Sequence, residues 1–373
     1  MIQGHGGNVY GLAERLGCRP DEIADVSSNI NPLGPPPGVL DHLREQMDTI
    51  CALPEVDSRT IEMSMARYLE VDPRSVVAGA GTTQFIYAMF GILASRRVLI
   101  VGPTYADYAD ACRLAGMPFE HLLATPEDRF RVDLKRIDGM ARRADTVVIC
   151  NPNNPTGVLL PGSALLDLCR RYPETRFVID ESYLGFVPDA DAVTLAACGL
   201  DNVIVLHSFS KLFRLPGLRI GFLIAAAALA ERFRSARVPW SLNTLSQAAV
   251  SFITTSIEST ARFVAESRAY IIRERTLFFD QLRGEAGLKL YPSRTTFFLV
   301  ELPAGVDAPT IWERFARERV LVRDCSNFFG LGERFIRIAV NQPDVNRKVV
   351  GLLSAMACRR GADPLKKNEA LTR

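Results

Sequence analysis

Lys211 stands between an apolar, strand-like run and a glycine turn in the stretch VLHSFSKLFRLPGLRIGF, residues 205–222. Ser208 and Ser210 precede the lysine, and Arg219 follows it. An apolar site destabilises an ammonium ion, so the pKa of a lysine there falls and its amine can form a Schiff base with an aldehyde. Serine hydroxyls and a guanidinium are suited to a phosphate. The stretch therefore predicts a site for a ligand that carries both an aldehyde and a phosphate.

Further polar residues follow three other apolar runs, SVVAGAG, TVVICNP and FVIDES: they are Gly81, Thr82, Thr83, Asn154, Asp180 and Tyr183. In an open α/β sheet, ligands bind beyond the carboxyl ends of the strands. We therefore expect these side chains to gather near Lys211.

Each position also has an ordinary structural explanation. GAGTTQ is compatible with a glycine turn and a threonine cap, NPNNPTG with a proline-rich loop, and Asp180 with an exposed helix cap. A glycine turn that opens a helix also holds phosphate through free N–H groups and the helix dipole. A carboxylate after three apolar residues is costly to bury without a cationic partner. GAGTTQ lacks the third glycine of a dinucleotide-binding motif, which disfavours a nicotinamide dehydrogenase.

One cofactor uses all of these groups. Lys211 takes an aldehyde, the glycine turn with Ser208, Ser210 and Arg219 takes a phosphate, and the carboxylate that ends FVIDES takes a pyridine nitrogen. Asn154 and the tyrosine of DESY suit a phenolic oxygen. The cofactor with these features is pyridoxal 5′-phosphate.

The motifs NPNNPTG, DESY, SFSK and LPGLRIGF, in this order, resemble the fold-type I pyridoxal-phosphate enzymes of the aspartate aminotransferase superfamily, over about residues 4–357. The resemblance implies that Lys211 carries the cofactor and that Asp180 keeps its pyridine nitrogen protonated. It implies that Tyr105, in GPTYADY, stacks on the ring. It also implies that Arg337, in FIRIAV, receives a substrate carboxylate, and that the enzyme is a homodimer.

Within that superfamily, HGGN followed by NINPLG, together with VLVRDCSNF, is most similar to the threonine-phosphate decarboxylases of cobalamin biosynthesis, with histidinol-phosphate aminotransferases as near neighbours. By this resemblance His5, Asn29 and Arg323 bind a substrate phosphate; the alternative for His5 is that it caps a turn. Leu53, in CALPEVD, stands where family members commonly carry a tyrosine that reaches the neighbouring subunit's cofactor.

The resemblance implies decarboxylation of L-threonine O-3-phosphate to (R)-1-amino-2-propanol phosphate. L-serine O-phosphate decarboxylation and histidinol-phosphate-type transamination are the alternatives. Arg323 and Arg337 suit a substrate with two anionic groups, but one phosphate can engage both, so the arginine count leaves the reaction open. A non-catalytic pyridoxal-phosphate regulator would need a DNA-reading module, for which the chain has no spare domain.

The composition sets limits on partners. The 373 residues carry 44 basic and 42 acidic side chains, which gives no electrostatic footprint for nucleic acid or a membrane surface. The eight cysteines form no CxxC pair and do not cluster with histidines, so we expect reduced thiols and no metal site. Without a leader-like N-terminus or a long apolar run, we expect a cytoplasmic protein.

Apolar runs alternating with helical patterns predict an α/β fold: a large domain with a mostly parallel sheet covered by helices on both faces. A smaller α+β domain follows, and an N-terminal arm with an extended, turn-rich sequence precedes. We place the arm at residues 1–38, the large domain at 39–245, the small domain at 246–360 and a tail at 361–373. One long helix is predicted at about 247–283.

Overall fold

The computed structural model describes residues 6–285 and 287–358, and these form a large α/β domain, a smaller α+β domain and an N-terminal segment. The predicted fold class is confirmed. The boundaries at residues 38, 245 and 360 stay a prediction, and His5 and the tail at 361–373 lie outside the described residues.

The chain runs through the large domain before the small one. The N-terminal segment holds α1 (Val9–Leu16) and β1 (Ala24–Asp25). The large domain follows with α2 (Val39–Glu45), α3 (Arg59–Tyr68), β2 (Val76–Gly79), α4 (Thr82–Leu93), β3 (Val98–Gly102), α5 (Asp107–Leu114), β4 (Phe119–Leu123), α6 (Leu134–Ala141), β5 (Thr146–Cys150), α7 (Gly162–Arg171), β6 (Arg176–Asp180), α8 (Ala190–Val193), β7 (Val203–Ser208), α9 (Phe209–Leu212), β8 (Gly221–Ala225), α10 (Ala227–Ser235) and α11 (Thr244–Thr255). The small domain contains α12 (Ile257–Leu282), β9 (Lys289–Leu290), β10 (Phe297–Glu301), α13 (Ala308–Arg317), β11 (Val320–Leu321), β12 (Arg323–Asp324), β13 (Phe335–Ala339) and α14 (Pro343–Cys358).

The large sheet has seven strands in the order β2-β8-β7-β6-β5-β3-β4. All run parallel except β8, which is antiparallel to both of its neighbours. The register places Cys150 of β5 beside Asp180 of β6, and Asp180 beside Leu206 of β7. The carboxyl ends of these three strands therefore meet at one edge, where the polar residues that follow them can share a site.

Helices cover both faces of this sheet. Val147 and Phe177 belong to one buried apolar cluster, and their chain neighbours Val148 and Val178 belong to the other. Because successive side chains of a strand point to opposite faces, the two clusters are the two helix–sheet layers. Strands buried on both faces explain why their sequences are continuous apolar runs rather than alternating ones.

The small domain is built on a four-stranded antiparallel sheet in the order β12-β13-β10-β9. The long helix predicted at 247–283 is instead two helices, α11 and α12, separated at Ser256. The hydroxyls of Thr254 and Thr255 donate to the carbonyls of Val250 and Ser251, each at 2.7 Å. Such side-chain bonds compete with the helix backbone and favour a break.

The N-terminal segment is more structured than an extended arm, because α1 lies within it. Its NINPLG stretch packs on the short helix α9, which carries Lys211: the Asn31 backbone N–H donates to the Lys211 carbonyl at 3.0 Å, and the Asn31 side-chain amide donates to the Leu212 carbonyl at 2.9 Å. No helix in the described part of the chain has the length and apolarity needed to cross a bilayer.

Candidate active site

A cavity of about 340 Å³ opens at the carboxyl ends of β5, β6 and β7, between the large and small domains. It is lined by every described residue that the sequence analysis assigned to the site: Asn29, Gly81, Thr82, Thr83, Tyr105, Asn154, Asp180, Tyr183, Ser208, Ser210, Lys211, Arg219, Arg323 and Arg337. The prediction that they gather is therefore met. His5 lies outside the described residues.

Lys211 projects from the short helix α9, directly after β7. Burial, together with the positive charges of Arg337 and Arg219 and opposed by Asp180, lowers the pKa of its amine to about 8. A lysine with such a pKa holds an appreciable neutral fraction near neutral pH, which is the form that attacks a carbonyl group.

Asp180 is buried at the end of β6, and both of its carboxylate oxygens accept hydrogen bonds. The Ser182 N–H donates to Oδ1 at 2.9 Å, and the Tyr108 hydroxyl donates to Oδ2 at 2.6 Å. Burial raises the pKa of Asp180, while these two donors and the charge of Lys211 pull it down. The donors therefore favour the ionised carboxylate that a protonated pyridine nitrogen requires.

The sequence analysis missed Tyr108. It lies on α5, three residues after Tyr105, and its ring is fully buried edge-on to the Tyr105 ring at 5.8 Å. The repeated tyrosine in GPTYADY, spaced by about one helical turn, is the signal that could have found it.

The phosphate end of the cavity is formed where β2 turns into α4. Gly81 has φ +83°, and no side chain caps the helix that begins at Thr82, so N–H groups of its first turn have no intrahelical partner. A Cβ atom on Gly81 would lie 2.7 Å from Nη2 of Arg219. Glycine thus leaves space for a guanidinium beside a helix N-terminus. This donor set, together with Ser208, fits a phosphate.

Tyr183 and Asn154 lie where a ring oxygen was predicted to bind. Burial raises the pKa of Tyr183 to about 12, while Arg337 and a hydrogen bond from the Asn29 amide (3.2 Å) pull it down. Asn154 accepts a hydrogen bond from Nη1 of Arg337. Asn29 thus lies against Tyr183, and its Oδ1 is buried with no partner among the described residues.

Two arginines from the small-domain sheet complete the cavity. Arg323 of β12 and Arg337 of β13 are direct neighbours in register, and both are buried. Their hydrogen-bond partners are uncharged oxygens: Arg323 donates to Asn327 Oδ1 at 2.6 Å, and Nη2 of Arg337 donates to the Ser27 carbonyl at 2.6 Å. Nε of Arg337 is buried with no partner among the described residues. Burial, with Arg337 alongside, lowers the pKa of Arg323 to about 10. This pair of adjacent, buried cations has the charge and the donors that an anion requires.

The family model for class I and II aminotransferases matches residues 21–351. The chain belongs to the class I and II aminotransferase family. This aminotransferase-family chain is 30% identical over 355 residues to the threonine-phosphate decarboxylase of Salmonella typhimurium, which covers 94% of this chain and 95% of that protein. It is 28% identical to the histidinol-phosphate aminotransferase of Methanocaldococcus jannaschii, covering 88% of each chain.

A solved structure agrees with these relatives. The L-threonine-O-3-phosphate decarboxylase from Porphyromonas gingivalis superposes with a TM-score of 0.80 at 30% identity, covering 90% of this chain and 99% of that one. Enzymes of this aminotransferase family use pyridoxal 5′-phosphate, so the predicted cofactor and the predicted superfamily are confirmed. In the described part of this chain, no cluster of three or more His, Cys, Asp or Glu residues is placed to hold a metal ion.

Proposed function

We propose that the protein decarboxylates L-threonine O-3-phosphate to (R)-1-amino-2-propanol phosphate, as a step of cobalamin biosynthesis. The observation that carries the proposal is the pair of adjacent buried guanidiniums, Arg323 and Arg337, in the wall of the lysine cavity. Two buried cations without a carboxylate partner among the described residues favour a ligand that brings two anionic groups. O-phosphothreonine brings a phosphate and a carboxylate in one molecule, whereas a histidinol-phosphate aminotransferase meets the phosphate and the carboxylates of 2-oxoglutarate in separate half-reactions. The similarity to threonine-phosphate decarboxylases supports the same choice.

The roles of the cofactor-site residues are part of this proposal. When pyridoxal phosphate is bound, Lys211 would hold the aldehyde, Asp180 would keep the pyridine nitrogen protonated, and the turn at Gly81 with Arg219 would hold the phosphate; all of these residues line the cavity. Tyr183 bonds the ring oxygen, as does Asn154. Thr82, Thr83, Ser208 and Ser210 add phosphate donors, and Tyr105 packs against the ring. When bound, pyridoxal phosphate supplies an electron sink for the pair left by a broken bond at Cα.

The arginines decide which bond at Cα breaks. Decarboxylation and transamination break different bonds at Cα, so the group that holds the substrate carboxylate would determine which bond is placed to break. Nε of Arg337 is a donor available for that carboxylate, because it is buried without a partner among the described residues, whereas Nη1 and Nη2 each already donate one hydrogen bond, to Asn154 and Ser27. Arg323 is then placed for the phosphate. Once the amine of Lys211 is released from the aldehyde, it would be placed to deliver the proton that replaces the lost carboxylate at Cα.

The test compares two reactions in the purified enzyme. We expect carbon dioxide release from O-phosphothreonine, and slower release from O-phosphoserine. Turnover of histidinol phosphate with 2-oxoglutarate, without carbon dioxide release from either phosphoamino acid, would replace the proposal with a histidinol-phosphate-type aminotransferase.

Arginine variants test the anion sites. Replacing either arginine by glutamine removes a charge-assisted bond worth about 1.5–3 kcal/mol, so we expect kcat/KM for O-phosphothreonine to fall roughly 10- to 100-fold for Arg323→Gln and Arg337→Gln. Arg334→Gln is the control, because that half-exposed side chain near the start of β13 donates to the Leu302 carbonyl and does not line the cavity. A loss in the control as large as in the other two would contradict the assignment.

We also propose that the protein is a homodimer. Several large apolar side chains near residues 47–56 are exposed, with Leu53 at 77%, Ile50 at 58% and Met47 at 47%. Trp240 is exposed at 50%, and its backbone N–H donates to the Val56 carbonyl at 3.2 Å, which places it next to this segment. Contiguous exposed apolar side chains mark interaction surfaces. Sedimentation should give twice the chain mass, and Leu53→Glu should shift it toward the monomer. A wild-type monomer at working concentration would refute this.

A further inference from the structure

The carboxylate of Glu62, on α3, is buried outside the cavity and lies at the β2 edge of the large sheet. Its side chain is 1% exposed and forms ion pairs with two arginines: Nη1 of Arg237 at 2.6 Å and Nε of Arg234 at 3.3 Å. Oε1 of Glu62 also accepts the backbone N–H of Ala78, in β2, at 3.0 Å. One carboxylate therefore links a helix, an edge strand and two cations.

The cluster satisfies two backbone groups on the outer edge of β2, which is one end strand of the sheet and, among the described strands, pairs with β8 alone. The outer edge of such a strand leaves N–H and C=O groups unpaired. Here Glu62 accepts the N–H of Ala78, and Nη2 of Arg234 donates to the Val76 carbonyl at 3.0 Å. Two charged side chains thus take the place of a neighbouring strand.

The position of β2 determines the position of the proposed phosphate site. Ala78 is followed by Gly79, Ala80 and Gly81, and α4 begins at the next residue. Gly79 pairs with Gly221 of β8. A Cβ atom added to Gly221 would lie 2.4 Å from the backbone nitrogen of Thr82. Because the backbones approach so closely, a shift of β2 along or away from β8 must move the turn at Gly81.

We infer that Glu62 is a positioning residue for the cofactor phosphate, acting with Arg234 through β2. The inference rests on the proposed cofactor site and goes beyond it, because Glu62 does not line the cavity. Its effect is confined to the phosphate end, since Lys211 and Asp180 extend from other strands. Arg237 is a less selective probe, because its Nη2 also donates to the Asp57 carbonyl, close to the exposed Leu53 segment.

The experiment measures the affinity of the apo-protein for pyridoxal phosphate and for pyridoxal, which lacks the phosphate. Glu62→Gln keeps an oxygen that can accept the Ala78 N–H but removes the carboxylate that pairs with the buried Arg237 side chain, while Arg234 keeps its ion pair with Glu231 at 2.5 Å. We expect its Kd for pyridoxal phosphate to rise about tenfold, because an indirect effect should cost no more than the loss of one charged hydrogen bond. Its Kd for pyridoxal should stay within about twofold of the wild-type value. Glu274→Gln is the matched control, because Glu274 is a buried carboxylate of α12 bonded to Arg273 at 3.1 Å and Asn346 at 3.0 Å, in the small domain. It should keep the wild-type ratio of the two affinities.

The inference would be overturned if folded Glu62→Gln kept the wild-type ratio of the two Kd values, whether both affinities were unchanged or both fell equally. A wild-type protein that binds both ligands equally would overturn the proposed phosphate site itself, and the inference with it. If Glu62→Gln does not fold, Arg234→Gln carries the same test, because that side chain is 16% exposed and its loss frees the Val76 carbonyl. A wild-type ratio in folded Arg234→Gln would then refute the inference.

Discussion

Removing one hydroxyl group should shift the pH range in which the enzyme works. In Tyr108→Phe the buried ring stays, but Oδ2 of Asp180 loses the donor that lies 2.6 Å away. A hydrogen bond to a charged acceptor contributes about 1.5–3 kcal/mol, which corresponds to roughly 10- to 100-fold in the proton affinity of the carboxylate. Burial already raises the pKa of Asp180, and the remaining donor, the Ser182 N–H, is unchanged.

The sign of the effect follows from the charge. Without the hydroxyl, the pKa of Asp180 rises further, so the carboxylate becomes protonated at a higher pH and no longer supports a protonated pyridine nitrogen. We expect the acid limb of the kcat profile for carbon dioxide release to move upward by about 1–2 pH units, with the plateau at high pH largely kept.

Tyr105→Phe is the control, since it removes a neighbouring hydroxyl and leaves the Tyr108–Asp180 bond in place. An acid limb in Tyr108→Phe that coincides with the wild-type limb would refute the reasoning, whatever the change in absolute rate.

Two further predictions concern titration. The pKa of Lys211 is lowered to about 8, mainly by burial, so the rate at which apo-protein captures pyridoxal should rise with pH and level off above about pH 8. Arg337→Gln removes a neighbouring positive charge and should move the midpoint of this pH profile upward. A midpoint that stays in place would contradict the electrostatic cause. Burial raises the pKa of Glu181 to about 7, opposed by donors such as Thr194. Since the folded-state pKa lies above the unfolded one, the stability this group contributes is present below about pH 4.5 and is lost as the pH rises through 7. Thermal melts of Glu181→Gln should therefore decline less between pH 5 and 8 than those of the wild type, and parallel curves would contradict this.

Most of the cofactor end could be predicted because it follows one rule. Asp180 and Ser208 end apolar strands, Lys211 comes three residues after Ser208, and parallel strands bring their carboxyl ends to a common edge. The same rule explains why Asn154, shortly after β5, reaches the cavity. Local sequence and strand order were enough for these residues.

Other features depend on contacts that sequence patterns do not encode. The Asn29–Tyr183 bond joins residues 154 positions apart, and the Tyr108–Asp180 bond depends on how α5 rotates against the sheet. The antiparallel direction of β8 was not predicted, because the buried run GFLIA looks the same in either direction. The break at Ser256 lies within a run of good helix periodicity, and side-chain hydroxyls decide it.

The cavity wall is divided between two sheets, and this division has a consequence for how new specificities can arise. The groups proposed for the cofactor, such as Lys211 and Arg219, belong to the large sheet and its connections. Arg323 and Arg337 belong to a separate antiparallel sheet. The hydrogen bond from Arg337 to Asn154 is a direct link between the two sets. Substitutions in β12 and β13 can therefore exchange one acidic substrate for another while the machinery beneath stays intact. In such a fold one cofactor site can serve many reactions, because the residues that select the substrate lie on a different sheet from those proposed to hold the cofactor.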